Sequence, residues 1–395
     1  MATDKSETWG VNTRLAHSGH TPSDYFGFVN PPVVHAATVL FPDAATMANR
    51  SPKYVYGTRG TPTTDALATA IDALEGSAGT NIVPSGLAAV TVPLLAFLAA
   101  GDHVLIVDSV YRPTRHFADT MLARLGIQVE YYDPQVGAGI ASLMRPNTKV
   151  VFIETPTNPT LELVDIRAVA DIAHAHGARL IVDNVFATAL YQKPLELGAD
   201  LVTYSATKHI DGQGRVLGGI VLGSKALIEG DIHTFLRQTG ATLSAFNAWV
   251  LLKGLETYEL RIRQMTDSAE KVAQALAGHP KVNRVLYPHH PSHPQYELAK
   301  RQMQRGSTLI AIDVKGGQEG AFTLSDSLAV ILISNNLGDA KSLITHPRTT
   351  THARFTEDVR LQTGVTPGLL RLSVGLEASD DLIADLMYGL DQVRA

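Results

Sequence analysis

The chain has 395 residues, 45% of them hydrophobic, enough to bury a large core in two or three domains. A net charge of −5, a pI near 6.3 and the lack of a basic tract exclude nucleic acid as a main partner. With no cysteine, disulfides, thiolate nucleophiles and cysteine-ligated metals are excluded, and a cytoplasmic setting is expected.

The first twenty residues mix Asp4, Lys5, Glu7 and Arg14 with polar residues around no apolar core, so no signal peptide is expected. Residues 1–60 are rich in Pro, Gly and Thr and read as an arm. Within it Val29-Asn30-Pro31-Pro32-Val33 is extended, because a residue before proline is pushed out of the helical region. Such an arm is expected to lie on another domain or another subunit.

Residues 61–250 alternate helices and short apolar strands. Thr64–Leu74 reads as an amphipathic helix ended by Gly76. The apolar run Leu87–Ala100, about fourteen residues with Pro93 inside, is too short to span a bilayer and reads as a buried helix. Strands are expected at His103–Val107, Lys149–Ile153, Arg179–Val182 and Leu201–Tyr204, with a helix at Ile166–His176 closed by Gly177. This rhythm predicts an α/β fold with a mostly parallel sheet covered on both faces. Ligands bind such sheets at the carboxyl ends of the strands, where Asp108, Glu154, Asp183 and Ser205 fall. Residues 251–395 read as a smaller α+β domain: a long polar helix Leu251–Leu276, a Pro- and His-rich turn Pro288–Pro294, a strand Ser307–Val314 and a last helix Asp380–Val393.

The most telling stretch is Ser205-Ala206-Thr207-Lys208-His209, which ends one apolar run, with Asp183 ending an earlier one. A strand-end lysine framed by small hydroxyls suits pyridoxal phosphate (PLP). The lysine forms the Schiff base, the hydroxyls hold the phosphate, and the aspartate keeps the pyridine nitrogen protonated. The glycine-rich Asp211–Gly219 leaves room for a bulky group, and desolvation there is expected to depress the lysine pKa. Ser85-Gly86-Leu87 opens the most apolar helix and can offer backbone N–H groups to a phosphate. Tyr111 is suited to stack on the ring or to fill the core. Arg371 interrupts the apolar Leu369–Val374 and needs an anion, either a substrate carboxylate or a structural ion pair. Gly212-x-Gly214 lacks the third glycine of a dinucleotide fingerprint. His174 and His176 face different sides of a helix, and His289, His290 and His293 lack a carboxylate partner, so no metal is expected.

Together, Ser109-Val-Tyr111, Glu154-Thr-Pro-Thr-Asn-Pro159, Val182-Asp183-Asn184, Ser205-Ala-Thr-Lys208 and Arg371-Leu-Ser-Val-Gly-Leu-Glu377 resemble the trans-sulfuration family of PLP enzymes. The resemblance runs from about Thr13 to the C-terminus. It implies the aspartate-aminotransferase-like fold (fold type I), with a seven-stranded sheet and a smaller C-terminal domain. It also implies that Lys208 is the PLP lysine and general base, that Asp183 pairs with the pyridine nitrogen, and that Tyr111 stacks and assists proton transfer. Ser85, Gly86, Leu87, Ser205 and Thr207 would hold the phosphate, and Arg371, Asn158 and Asn336 the substrate. It further implies a homotetramer whose arm, through Tyr56 and Arg59, completes a neighbour's site. The usual Tyr-x-Arg is altered here, because Thr58 stands two residues after Tyr56 and the arginine is Arg59. Either Arg59 substitutes or the clamp loses a charge.

Within the family the chain is a mosaic. Gly27–Pro32, Tyr56-Gly57, Gly60–Thr64 and Tyr131–Pro134 resemble bacterial cystathionine β-lyases. Thr155–Pro159, Ile210–Gly219, Thr242–Trp249 and Asn336–Asp339 resemble O-succinylhomoserine sulfhydrylases. The implied reaction is γ-replacement, from O-succinyl- or O-acetylhomoserine and sulfide to homocysteine. A cystathionine lyase or γ-synthase is the alternative, and an inactive ligand sensor the non-enzymatic one. Arg112 and Arg348 are candidate partners for a succinyl carboxylate.

Overall fold

The computed structural model describes residues 8–19, 21–49 and 52–394, so Asp4, Lys5 and Glu7 lie outside the described residues. The chain divides into two compact units. One comprises the described residues up to Phe97 with Thr203–Asp211 and Arg215–Glu259, and the other Leu98–Val202, Gly212–Gly214 and Leu260 onward. Among the described residues no helix is long and apolar enough to cross a membrane.

Seven strands form a large, mostly parallel sheet. They are β1 (Gly79–Val83), β2 (His103–Val107), β3 (Gln128–Tyr132), β4 (Thr148–Glu154), β5 (Arg179–Asp183), β6 (Leu201–Ser205) and β7 (Gly219–Gly223). Their order is β1-β7-β6-β5-β4-β2-β3, with β2, β3, β4 and β5 paired in parallel and β1 antiparallel to β7. The sequence picked out β2, β4, β5 and β6, whose apolar runs are continuous because both faces are buried. It passed over β1, β3 and β7; β1 and β3 are more polar and only partly buried.

In the first unit, helix Pro62–Glu75 begins with a reciprocal cap. The Thr61 hydroxyl accepts the Thr64 N–H, Thr64 returns a bond to the Thr61 backbone, and Gly76 ends the helix at φ 72°. Part of the arm packs on its own unit. Trp249 donates to the Pro31 carbonyl (3.0 Å), and Thr63 bonds both Pro32 O (3.0 Å) and Val34 N (2.8 Å).

The second unit holds β2–β5 and a five-stranded sheet, β8 (Val282–Leu286), β9 (Leu309–Val314), β10 (Leu332–Ile333), β11 (Leu343–Thr345) and β12 (Leu369–Ser373), ordered β10-β11-β12-β9-β8. Its core joins Ile310, Ile312, Leu370 and Leu372 to Leu382, Leu386 and Leu390 of helix Ser379–Gln392. The sequence anticipated β9 and the apolar run of β12 but not the other three, which are polar, two or three residues long, or exposed.

One expectation is corrected. Leu251–Leu276 is not a single helix but parts of two, Ala245–Leu255 and Tyr258–Leu276. Leu251, Leu252 and Leu255 belong to the first unit, whereas Ile262, Met265 and Ala269 belong to the second. Two buried stripes serving separate cores do not ride on one helix, and no Pro in the sequence marks the break.

Candidate active site

On the first unit, β6 delivers Ser205 to its carboxyl end and the chain turns at once. The Lys208 N–H donates to Ser205 O (3.2 Å) and the Asp211 N–H to Ala206 O (2.9 Å). The turn is clamped by Asp211, which is fully buried. Its carboxylate accepts the Arg215 backbone N–H (2.6 Å) and Nε (2.9 Å). Thr207 is held through its hydroxyl, which accepts the Gly218 N–H at 3.1 Å. Lys208 stands half-buried.

Facing this turn, helix Gly86–Phe97 starts at Gly86, so the N–H groups of its first turn have no intrahelical acceptor. A Cβ on Gly86 would meet the Ser205 Cβ and Oγ at 2.4 Å. Glycine is therefore what allows this helix start to approach Ser205, leaving small hydroxyls and backbone N–H groups as a cradle. The Ser85 hydroxyl accepts the Ala88 N–H (3.1 Å) and keeps its own proton to donate. Such a neutral, donor-rich concavity at a helix N-terminus fits a phosphate.

The arm residues Tyr56 and Arg59 belong to the same unit. Tyr56 is extended, bridged to Thr38 and 51% exposed, and Arg59 ends the turn Gly57–Arg59. With Thr58, Thr234, Arg237 and Gln238 they line a cavity of about 450 Å³. Arg237 thus brings a second guanidinium to the cavity of Arg59, which no motif announced.

On the second unit, Glu154 and Asp183 are register partners at the carboxyl ends of β4 and β5. Burial pushes the Asp183 carboxyl up to about 7, although it accepts the Val185 N–H (3.1 Å), which opposes the shift. Glu154 is raised well above the usual carboxylate range, by burial first and then by Asp183, although the Tyr111 and Asn158 N–H groups and Arg371 oppose the shift. The Tyr111 N–H to Glu154 Oε2 distance is 2.8 Å. Glu154 therefore anchors Tyr111, whose ring is left 44% exposed at the start of helix Arg112–Phe117. The sequence placed Glu154 at a strand end without giving it this role. A carboxyl poised like Asp183 fits a pyridinium N–H⁺, which would return it to the charged form.

Arg371, on β12, is 2% exposed and paired with neutral acceptors alone. It donates to Asn158 Oδ1 (2.9 Å), Asn335 O (3.0 Å) and Asn336 O (3.1 Å), and its buried Nε has no partner. Burial lowers its pKa to about 10, with Glu154 pulling the other way. A structural ion pair is thus not what holds it, and Asn158 and Asn336 orient it. Arg348 is instead ion-paired with Glu357.

The glycine cradle and strand-end lysine of the first unit, and the poised aspartate of the second, are the groups that a fold type I PLP-dependent enzyme would need. The family model for Cys/Met metabolism PLP-dependent enzymes matches residues 12–391, and the chain belongs to that family. It is 46% identical over 383 residues to an O-succinylhomoserine sulfhydrylase of Mycobacterium tuberculosis, covering 96% of this chain and 94% of that one. It is 45% identical over 394 residues to a putative cystathionine beta-lyase of Rhizobium johnstonii, covering 98% and 97%. Among solved structures, metB from Corynebacterium glutamicum superposes with a TM-score of 0.92 at 34% identity, covering 98% of this chain and 99% of that one. The protein is therefore a PLP-dependent trans-sulfuration enzyme, and the ligand-sensor alternative finds no support in that membership.

Proposed function

We propose that this enzyme carries out γ-replacement, converting O-succinylhomoserine, or O-acetylhomoserine, and sulfide to homocysteine. The observation that carries the reading is the clamped turn after Lys208. Asp211 and Arg215 lie in the very segment that resembles sulfhydrylases, and they set the path of the chain beside the lysine. The Mycobacterium tuberculosis relative of that name supports it. The β-lyase-like N-terminal half and the Rhizobium johnstonii relative favour a second reading, cystathionine cleavage.

In this reading Ser85, Gly86, Leu87, Ser205 and Thr207 hold the phosphate, and Asp183 holds the pyridine nitrogen in its protonated form. Lys208 would hold the cofactor through its aldehyde. When bound, PLP supplies an electron sink for carbanions next to the amino group. Lys208 would take the proton from Cα and later one from Cβ of the substrate, while Tyr111 would stack on the ring and assist proton transfer. Arg371, aimed by Asn158 and Asn336, binds the α-carboxylate. We further propose that the molecule is a cytoplasmic homotetramer built of an arm (1–60), a PLP-binding domain (61–250) and a C-terminal domain (251–395). In it Tyr56 and Arg59 reach a neighbour's phosphate, with Arg237 adding positive charge where Thr58 has none.

The test supplies purified holoenzyme with sulfide and each homoserine ester and measures homocysteine. No homocysteine from either ester, with cystathionine converted to pyruvate and ammonia, would replace the proposal with the lyase.

A further inference from the structure

We propose that Arg112 binds a second, distal carboxylate on the substrate, so that the enzyme selects dicarboxylic amino acids over monocarboxylic ones. The proposal rests on the reading of Arg371 as the ligand of the α-carboxylate.

Arg112 directly follows Tyr111 and is half-buried in the first turn of its helix. Its guanidinium carbon lies 5.9 Å from the centre of the Phe355 ring, and the Phe355 ring lies 5.4 Å from that of His352. His352 and Phe355 line, with Asn158, a small cavity of about 10 Å³. Asn158 is the side chain that receives Arg371 Nη1. One cavity is thus lined by Asn158, which bonds Arg371, and by Phe355, over which Arg112 lies. His352 is 7% exposed and neutral, with its pKa pushed to about 4 by burial, then by Arg371 and Arg112. Both cations therefore act on the same imidazole, in a cavity that Asp108 and Arg115 also line, while Glu154 acts on Arg371 but is not among the groups acting on His352.

The neighbouring arginines are engaged or turned to solvent. Arg115 donates to Asp108 O (3.0 Å) and stacks on Tyr131 at 3.9 Å. Arg348 and Arg360 share Glu357. Arg354 is exposed. Among the described residues no carboxylate lies within ion-pair distance of Arg112, and its contact is with an aromatic face. A guanidinium held half-desolvated against an aromatic ring, with its fork unspent, suits a carboxylate arriving from outside. Two cations sharing one field match two carboxylates on one ligand. O-succinylhomoserine and cystathionine each carry a distal carboxylate; O-acetylhomoserine and methionine carry none.

The test compares wild-type, Arg112→Met and Arg112→Lys holoenzymes on O-succinylhomoserine, cystathionine and O-acetylhomoserine. In Arg112→Met, kcat/KM for the dicarboxylic substrate falls about 10- to 100-fold, the range of a charge-assisted hydrogen bond. O-acetylhomoserine changes by less than about 3-fold, and Arg112→Lys recovers part of the loss. Equilibrium binding of the same ligands to Lys208→Ala protein, which cannot turn them over, shows the same ratio. An equal loss on all substrates, or none on any, overturns the role of Arg112. Which dicarboxylic substrate reacts separates sulfhydrylase from lyase, whereas the ratio between dicarboxylic and monocarboxylic ligands tests Arg112 alone.

Discussion

The lysine side and the carboxylate side of this enzyme are built on opposite electrostatic principles. Around Ser85–Leu87, Ser205 and Thr207 the first unit offers glycine closeness, hydroxyls and the N–H groups of a helix start. Around Glu154, Asp183 and Arg371 the second unit buries ionisable groups, with burial raising both carboxyls and lowering the arginine. The first arrangement suits an anion through shape and N–H donors. The second keeps ionisable groups costly until a cofactor or substrate of complementary charge relieves them. Holding groups in that unbalanced state costs stability, which is why such clusters mark sites rather than cores.

The largest way to break this contrast is Lys208→Ala. On the proposed mechanism, turnover of homoserine ester and sulfide should fall by at least about 10³-fold, since Lys208 serves there as both nucleophile and proton carrier; a homocysteine assay measures it. Arg371→Met should raise KM about 100-fold with a smaller change in kcat, since a buried charge-assisted contact is removed, as steady-state kinetics will show. Gly86→Ala attacks the neutral side. A methyl forced to within 2.4 Å of Ser205 should weaken PLP binding about 10- to 100-fold, read by equilibrium dialysis, while the fold persists.

The subtlest effect concerns pH. The Asp183 pKa is raised in the folded protein, so without cofactor its contribution to stability is full at acid pH and is lost as pH rises through about 7. Cofactor-free protein should lose about 1–3 kcal/mol between pH 4 and pH 8 in urea melts. Asp183→Asn should flatten that slope. An unchanged slope in Asp183→Asn would assign the proton to Glu154, its register partner.

The chemical vocabulary of the site was legible in the sequence. Lys208, Asp183, Tyr111 and Arg371 stand beside strands whose apolar runs declare themselves, because a strand buried on both faces must be apolar throughout. The helix Pro62–Glu75 was legible too, since Pro62 and Gly76 fix its ends by backbone sterics. What stayed hidden depends on partners far apart in the chain. Glu154 anchors Tyr111 across 43 residues, and Asn158 meets Arg371 across 213. The short strands β8, β10 and β11 exist only because neighbours complete their ladders.

By itself, the sequence determined the cofactor class and the mostly parallel α/β fold, and it named the candidate ionisable residues. Those follow from local sterics, from periodicity and from side-chain chemistry. Only the tertiary structure decided which charges are left unbalanced. It separated Arg348, neutralised by Glu357, from Arg112 and Arg371, which among the described residues meet no carboxylate within ion-pair distance, because desolvation and pairing are properties of neighbours in space.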